Sequence, residues 1–282
     1  MRCLKQEIRE GKNMNKITLK KEERARVQKT ALEALVEIDR ICRKNNIKYT
    51  LAYGTMIGAV RHQGFIPWDD DVDICMLRDD YAKFKKICET ELNEKYFYQS
   101  HDTDKEYYHL YDKIRVNGTV FKEAFQADYN IHQGVYVDIF PIDYLPDNNL
   151  KRTLQYYKVR FFRTGLMAKY GVLSSRHGKK KFAARILRIL YAPFSLERLY
   201  KYACKTAMRY DDKKRKDTSN FYIKSGFPRE FYEDIKEVTF EGHTMMLSTH
   251  YDKMLSTIYG DYMKLPPENK RVTQHDLVEF DV

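Results

Sequence analysis

The sequence predicts an α+β protein: a core of mixed strands and helices, followed by a basic helical C-terminal region. Helical and strand periodicities alternate irregularly through the first half of the chain. At about Leu150 the composition turns basic while apolar residues keep a helical spacing. Across 282 residues, 43% hydrophobic and 14% aromatic content suffices for a packed core and excludes a disordered chain. The expected organisation is an N-terminal extension over residues 1–19 and a core over 20–149. A basic helical and C-terminal part, 150–282, is expected to pack on that core.

The elements follow in order. Val27, Leu32, Leu35, Ile38 and Cys42 recur at helical spacing between Lys20 and about Lys44, and Asn45-Asn46 stops that helix. Ile47 to Ala52 reads as a short strand leading into Tyr53-Gly54-Thr55. Met56 to Arg61 forms one or two helical turns closed by Gly64. Phe65-Ile66-Pro67-Trp68 leads to a strand centred on Asp71 to Met76, and a helix runs from about Asp79 to Asn93. Tyr107 to Val116 suggests a strand, with Gly118 as a hairpin turn to Val120-Phe121. Gly134 to Pro141 is a strand bounded by its own punctuation. From Lys151 through Leu196 there is no Asp or Glu, and dense Lys and Arg interleave with apolar residues, which predicts basic amphipathic helices. A further helix is expected near Leu196 to Met208, and Tyr259 to Pro267 reads as a loop.

A formal charge of +11 draws the protein to phosphates, in nucleic acid, nucleotides, anionic lipid or glycans, without choosing among them. The five cysteines are scattered and none forms a CxxC pair, so neither a zinc site nor a disulfide framework is indicated. The charged start has no apolar signal core, and no stretch of about 18 apolar residues exists. A cytoplasmic protein is expected.

The run Trp68-Asp69-Asp70-Asp71-Val72-Asp73 carries the most chemistry. In a strand, alternate side chains share a face, which would gather Asp69, Asp71 and Asp73 and leave Asp70 outside. Crowded carboxylates repel unless cations neutralise them, and hard oxygen ligands suit Mg²⁺ or Mn²⁺. The bland alternative is an acidic turn with Asp69 or Asp70 as a helix cap. Asp138, on a Val-Asp-Ile strand, would add a third carboxylate if the two strands pair; otherwise it is an edge-facing polar residue. Gly54-Thr55 sits at a helix start, where backbone N–H groups and the helix dipole favour an anion.

These pieces stand in a family's order. Tyr53 through Ile74, with Gly54-Thr55 ahead of Ile66-Pro67-Trp68-Asp69-Asp70-Asp71-Val72-Asp73, closely resembles the LicD family. That family is related to fukutin and the fukutin-related protein within the nucleotidyltransferase-fold superfamily. The likeness continues in Lys113-Ile114-Arg115, in Asp138 to Asp143 and in Tyr259 to Pro267. The resemblance implies a nucleotidyltransferase-like mixed sheet flanked by helices. It also implies transfer of a phosphoalkyl group, typically phosphocholine, from a CDP-activated donor to a sugar hydroxyl of a surface glycan or glycolipid. Thr55 stands where the wider superfamily often has serine. The cysteine cluster of the fukutin-related branch is absent, so no zinc is expected.

On this reading Asp71, Asp73 and Asp138 hold Mg²⁺, with Asp69 as a helper, and Asp138 also takes the acceptor proton. Arg61, Lys113 and Arg115 are candidates for the donor phosphates beside Gly54 and Thr55; each is otherwise a surface cation. His62 is a candidate donor contact or a structural residue; Trp68 and Tyr53 stack on a base or choline, or pack the core. Residues 151–196 hold the acceptor, rest on an anionic membrane at the inner face of the cytoplasmic membrane, or form a solvated basic face. No specific nucleic acid is expected. The rivals are nucleotidyl transfer of NMP to a protein, small molecule or RNA, and a non-catalytic basic module binding membrane or nucleic acid.

Overall fold

The computed structural model describes residues 16–170, 179–210, 215–221, 226–273 and 275–282. The first fifteen residues of the expected N-terminal extension and residues 171–178 of the basic segment lie outside that description.

Helix α1, Lys21–Lys44, buries Val27, Ala31, Ala34, Leu35, Ile38, Ile41 and Cys42 along one face. The Lys20 N–H donates to Glu23 Oε2 (2.7 Å) at its start, and Asn45 Nδ2 donates back to the Ile41 carbonyl (3.0 Å) at its end. Asn46 then takes a left-handed φ of 50°, so the expected stop holds. After β1, Thr50–Leu51, helix α2 covers Tyr53–His62, three residues earlier than expected. Strand β2, Asp73–Leu77, runs directly into α3, Arg78–Glu91. Then come β3 Tyr96–Gln99, β4 Asp112–Val116, β5 Val120–Glu123 and β6 Tyr136–Tyr144, the last buried at all nine positions.

The basic region supplies α4 Asn149–Tyr170, α5 Lys179–Leu190 and α6 Leu196–Ala207. The chain continues as β7 Asp217–Ser219, β8 Phe227–Pro228, α7 Glu230–Glu233, β9 Ile235–Phe240, β10 His243–Ser248, α8 Tyr251–Tyr259 and β11 Leu277–Asp281.

The main sheet has the order β1-β2-β6-β4-β3, with β7 and β8 continuing from the far end of β6. The β2–β6 pair is parallel and its neighbours are antiparallel, a mixed sheet flanked by helices as expected. Its core is one apolar cluster that includes α1 (Val27 to Cys42), β2 and β6 residues, and Phe240 and Leu277 from the C-terminal segment. Helices α4 and α6 pack on one another beside it, around Leu166, Leu199 and Ala203.

Two expectations are corrected. Gly118 does make a turn, at φ 75°, but β5 leaves the sheet to pair with β11, while β4 lies between β3 and β6. The strand expected from Tyr107 begins at Asp112, because Ser100 to Tyr111 is a turn and coil segment held by Asp104, whose carboxylate accepts from Gln99 and the His132 N–H.

Candidate active site

The site forms where β2, α2 and β6 begin to share a face. The Ala52 N–H donates to the Asp73 carbonyl (2.9 Å), so the chain enters α2 beside the first residue of β2. Tyr53 opens α2 with φ 45°, strained for a side chain of that size. Its hydroxyl accepts from Asn220 Nδ2, and its ring packs edge-on against Phe140 (5.3 Å). Gly54 has a steric reason to be glycine: a Cβ there would lie 2.6 Å from Asp69 Oδ2. Thr55 is buried, and its hydroxyl accepts from the Asp73 N–H (2.9 Å), pinning the start of β2.

Asp69 to Val72 are not a strand; β2 starts at Asp73. The turn at Pro67-Trp68 breaks the alternation, so the expected exclusion of Asp70 fails. Asp69, Asp70 and Asp71 instead converge, each offering a carboxylate oxygen within 4.8 Å of the others. Asp70 is 3% exposed; its Oδ1 accepts from His275 Nδ1 (2.8 Å), while its Oδ2 is buried without a partner. His275 Nε2 lies 3.7 Å from Asp71 Oδ2 and 3.2 Å from the Tyr136 hydroxyl.

Asp73 and Asp138 are direct register partners of the parallel β2–β6 pair, so their side chains leave one face side by side. Asp138 is buried and meets Lys113 Nζ at 2.5 Å. Lys113 reaches it from the register partner on β4, its ammonium 3.3 Å from the Tyr136 ring centre.

Asp69, Asp71, Asp73 and Asp138 act on one another and on Lys113 and His275, and their titrations reflect it. Burial, then the charge of Asp71, raises Asp69 to about 8. Burial and the charges of Asp71, Asp138 and Asp69 raise Asp73 far above the usual carboxylate range. Burial also raises Asp71, against the pull of His275. Asp138 is raised to about 6 by burial, with Lys113 opposing. Burial lowers Lys113. Burial alone would lower His275, but its bond to Asp70 and the charges of Glu123 and Asp71 outweigh that and hold it well above the ordinary value. A crowded, proton-retaining oxygen set with an orphaned buried carboxylate oxygen fits a hard divalent cation such as Mg²⁺ or Mn²⁺.

The remaining expected residues lie at varying removes. Arg61 donates to the Tyr262 carbonyl (2.6 Å) and to His62 Nε2 (3.0 Å), tying the end of α2 to the loop after α8. Arg115 is 1% exposed and donates to Gln99 Oε1 and the Gly134 carbonyl, both 2.7 Å. Trp68 packs on the main core and carries Arg271 above its ring at 5.7 Å. Sequence reasoning missed His275, which arrives from the far end of the chain, and Tyr259. Tyr259, the last residue of α8, is 46% exposed, and its hydroxyl is raised by burial and by the charges of Asp73, Asp69 and Asp71.

A mixed sheet presenting crowded carboxylates beside a helix start, with buried counter-cations, is the arrangement of an enzyme that handles phosphate esters. The chain belongs to the LicD family. Residues 46–187 match the family model described as LicD/FKTN/FKRP, nucleotidyltransferase domain. The lipopolysaccharide cholinephosphotransferase LicD of Haemophilus influenzae is 29% identical over 273 residues, covering 93% of this chain and 97% of that protein. An uncharacterised protein of Rickettsia typhi is 57% identical over 44 residues, 16% of this chain and 14% of its own. Another, from Rickettsia prowazekii, is 54% identical over 44 residues, 16% of each chain.

Proposed function

We propose that this chain moves a phosphoalkyl group, phosphocholine, from a CDP-activated donor to a sugar hydroxyl of a cell-surface glycan or glycolipid. The observation that carries the reading is the meeting of Asp69, Asp70 and Asp71 beside the Asp73–Asp138 pair. The relative named for lipopolysaccharide cholinephosphotransfer, aligned over nearly both whole chains, supports choline as the alkyl group and a glycan as the acceptor.

Asp71, Asp73 and Asp138, with Asp69 and the unpartnered oxygen of Asp70, would hold Mg²⁺ or Mn²⁺. Bound there, the cation would neutralise the donor pyrophosphate and its developing charge. The chain's own residues do the rest. Asp138, whose Oδ1 meets Lys113 Nζ, accepts the proton of the sugar hydroxyl. The hydroxyl oxygen attacks the phosphorus that bears choline, a new P–O bond forms, and the bond to CMP breaks with its electron pair leaving on CMP. Lys113 stands against Oδ1 of Asp138 as its buried counter-cation. His275 holds Asp70 and faces Asp71, so the acidic turn keeps its shape when no cation is present. Tyr259 is the aromatic candidate for the quaternary ammonium or the cytosine.

The experiment is turnover of CDP-choline with Mg²⁺ by Asp71→Ala and Asp73→Ala variants whose folding is verified by circular dichroism. Loss of at least about a thousandfold is expected. Wild-type turnover in either variant removes the metal-site assignment. Parallel incubation with labelled NTPs separates the reading from nucleotidyl transfer, in which the nucleotide and not the choline labels the acceptor.

A further inference from the structure

The chain's positive charge is not spread over its surface. Residues 151–196 contain twelve Lys and Arg and no Asp or Glu, so the other 236 residues together carry a formal charge of −1. The exposed apolar side chains gather in the same place. Of the thirteen large ones exposed among the described residues, nine lie between Leu150 and Met208.

On α4 they form a line. Leu150, Leu154, Tyr157 and Phe161 follow one another at i, i+4, i+7 and i+11, within roughly 60° of the helix circumference. Leu150 is 78% exposed and the other three about half exposed, 49–54%. The opposite face of α4 is the one packed on the protein. Val159 and Leu166 are buried there, and Gln155 Nε2 donates to the carbonyls of Thr206 and Ala207 at the end of α6. The outer line therefore points away from that packed face. Lys151, Lys158 and Arg160 are exposed beside it.

The line continues onto α5. Phe161 meets Tyr191 with ring centres 5.0 Å apart, and the Tyr191 hydroxyl donates to the Phe161 carbonyl. The residues just before Tyr191, Ile186, Ile189 and Leu190, are again exposed, with Arg185 beside them.

We propose that this apolar line, flanked by cations, is the surface by which the protein rests on an anionic lipid bilayer. A bilayer accommodates single side chains that stand out from helices, and its negative headgroups match a segment, residues 151–196, that contains no acidic residue. A lipid-borne acceptor would be presented to the enzyme from that plane. No described helix is long and apolar enough to cross a membrane, so the contact is one of lying on the surface.

The test is flotation of the full chain with vesicles of phosphatidylcholine alone and of phosphatidylcholine with roughly one third phosphatidylglycerol. Recovery is expected with the anionic vesicles at low salt, and its loss at high salt. Leu150→Glu with Leu154→Glu should cut recovery at least about tenfold, while turnover of CDP-choline with a soluble sugar acceptor stays at the parent level. Lys151→Glu with Lys158→Glu, which leaves the apolar line intact, should also reduce binding at least about tenfold. Asp73→Asn should lose turnover yet float normally, so a failure of the catalytic reading is distinguishable from a failure of this one. Equal recovery from both vesicle types, recovery from neither, or parent-like flotation of both charge variants overturns the proposal.

Discussion

Lys113→Met would leave the Asp138 carboxylate without its counter-cation inside the protein, and the cost depends on pH in a way the geometry fixes. Lys113 Nζ and Asp138 Oδ1 lie 2.5 Å apart with side-chain exposures of 2% and 8%. Removing one partner of such a pair strands a buried charge, typically at a cost of about 3–5 kcal/mol. The charge exists, however, only above the pKa of Asp138, which burial has raised from 3.8 to about 6. A carboxyl raised on folding contributes stability that is full below about pH 4 and is lost as pH rises through about 6, here about 3 kcal/mol from this group alone. At pH 8 the substitution should therefore cost about 3–5 kcal/mol. At pH 5 Asp138 holds its proton in both proteins, and in the parent the unpaired buried charge is then Lys113. The loss should shrink to about 1 kcal/mol or change sign. Urea unfolding of parent and variant in EDTA at the two pH values reads this directly. The same loss at pH 5 and pH 8 would refute the idea that Lys113 exists to hold an otherwise repelled carboxylate.

Gly54→Ala should separate stability from function. Alanine is the better helix former by about 1 kcal/mol, but its Cβ would sit 2.6 Å from Asp69 Oδ2 and displace that carboxylate. The melting temperature should hold or rise while turnover and apparent Mg²⁺ affinity each fall at least about tenfold; an unchanged Mg²⁺ titration removes Asp69 from the site. His275→Phe should leave both oxygens of buried Asp70 unpartnered and cost about 2–3 kcal/mol near pH 6. Because folding raises the His275 pKa, this stabilisation is complete below the ordinary histidine value and fades as pH climbs through the raised one. The gap between parent and variant in urea should accordingly narrow at alkaline pH, and a gap that widens there contradicts the assigned charge. Arg78→Ala should cost about 3–5 kcal/mol, since its guanidinium is held by both oxygens of buried Asp143 at 2.7 and 3.0 Å. Arg78→Met with Asp143→Leu should recover most of that loss in the same unfolding assay.

The parts of this molecule that are legible in the sequence are those whose partners are near in sequence. Helix α1 announces itself through a spacing that runs from Val27 to Cys42 and a stop at Asn45-Asn46. The acidic run identifies the site because Asp69 to Asp73 are contiguous and no core has use for them. What periodicity could not supply is the local break in the strand. Asp69 to Val72 stay irregular after the Pro67-Trp68 turn, so alternation assigns the wrong face to Asp70. The partner of Asp70 lies 205 residues away at His275, and that of β5 lies in β11. Neither pairing leaves a trace in local spacing. The β9–β10 hairpin turns at Glu241-Gly242, with φ of 49° and 77°. Glutamate is an uncommon first residue in such a turn, and here its carboxylate accepts from the Phe65 N–H (2.9 Å) to bind the hairpin to the loop after α2.

On the proposed function, the carboxylates around Asp73 and Asp138 serve transfer of the choline-bearing phosphate. CDP-choline carrying one label in the choline and another in the cytidine, incubated with the protein, Mg²⁺ and a lipopolysaccharide-derived acceptor, measures this most directly. The choline label should move to the acceptor, the cytidine label should leave as CMP, and both events should stop in Asp73→Ala. Cytidine label on the acceptor, or undiminished choline transfer by that variant, would contradict it.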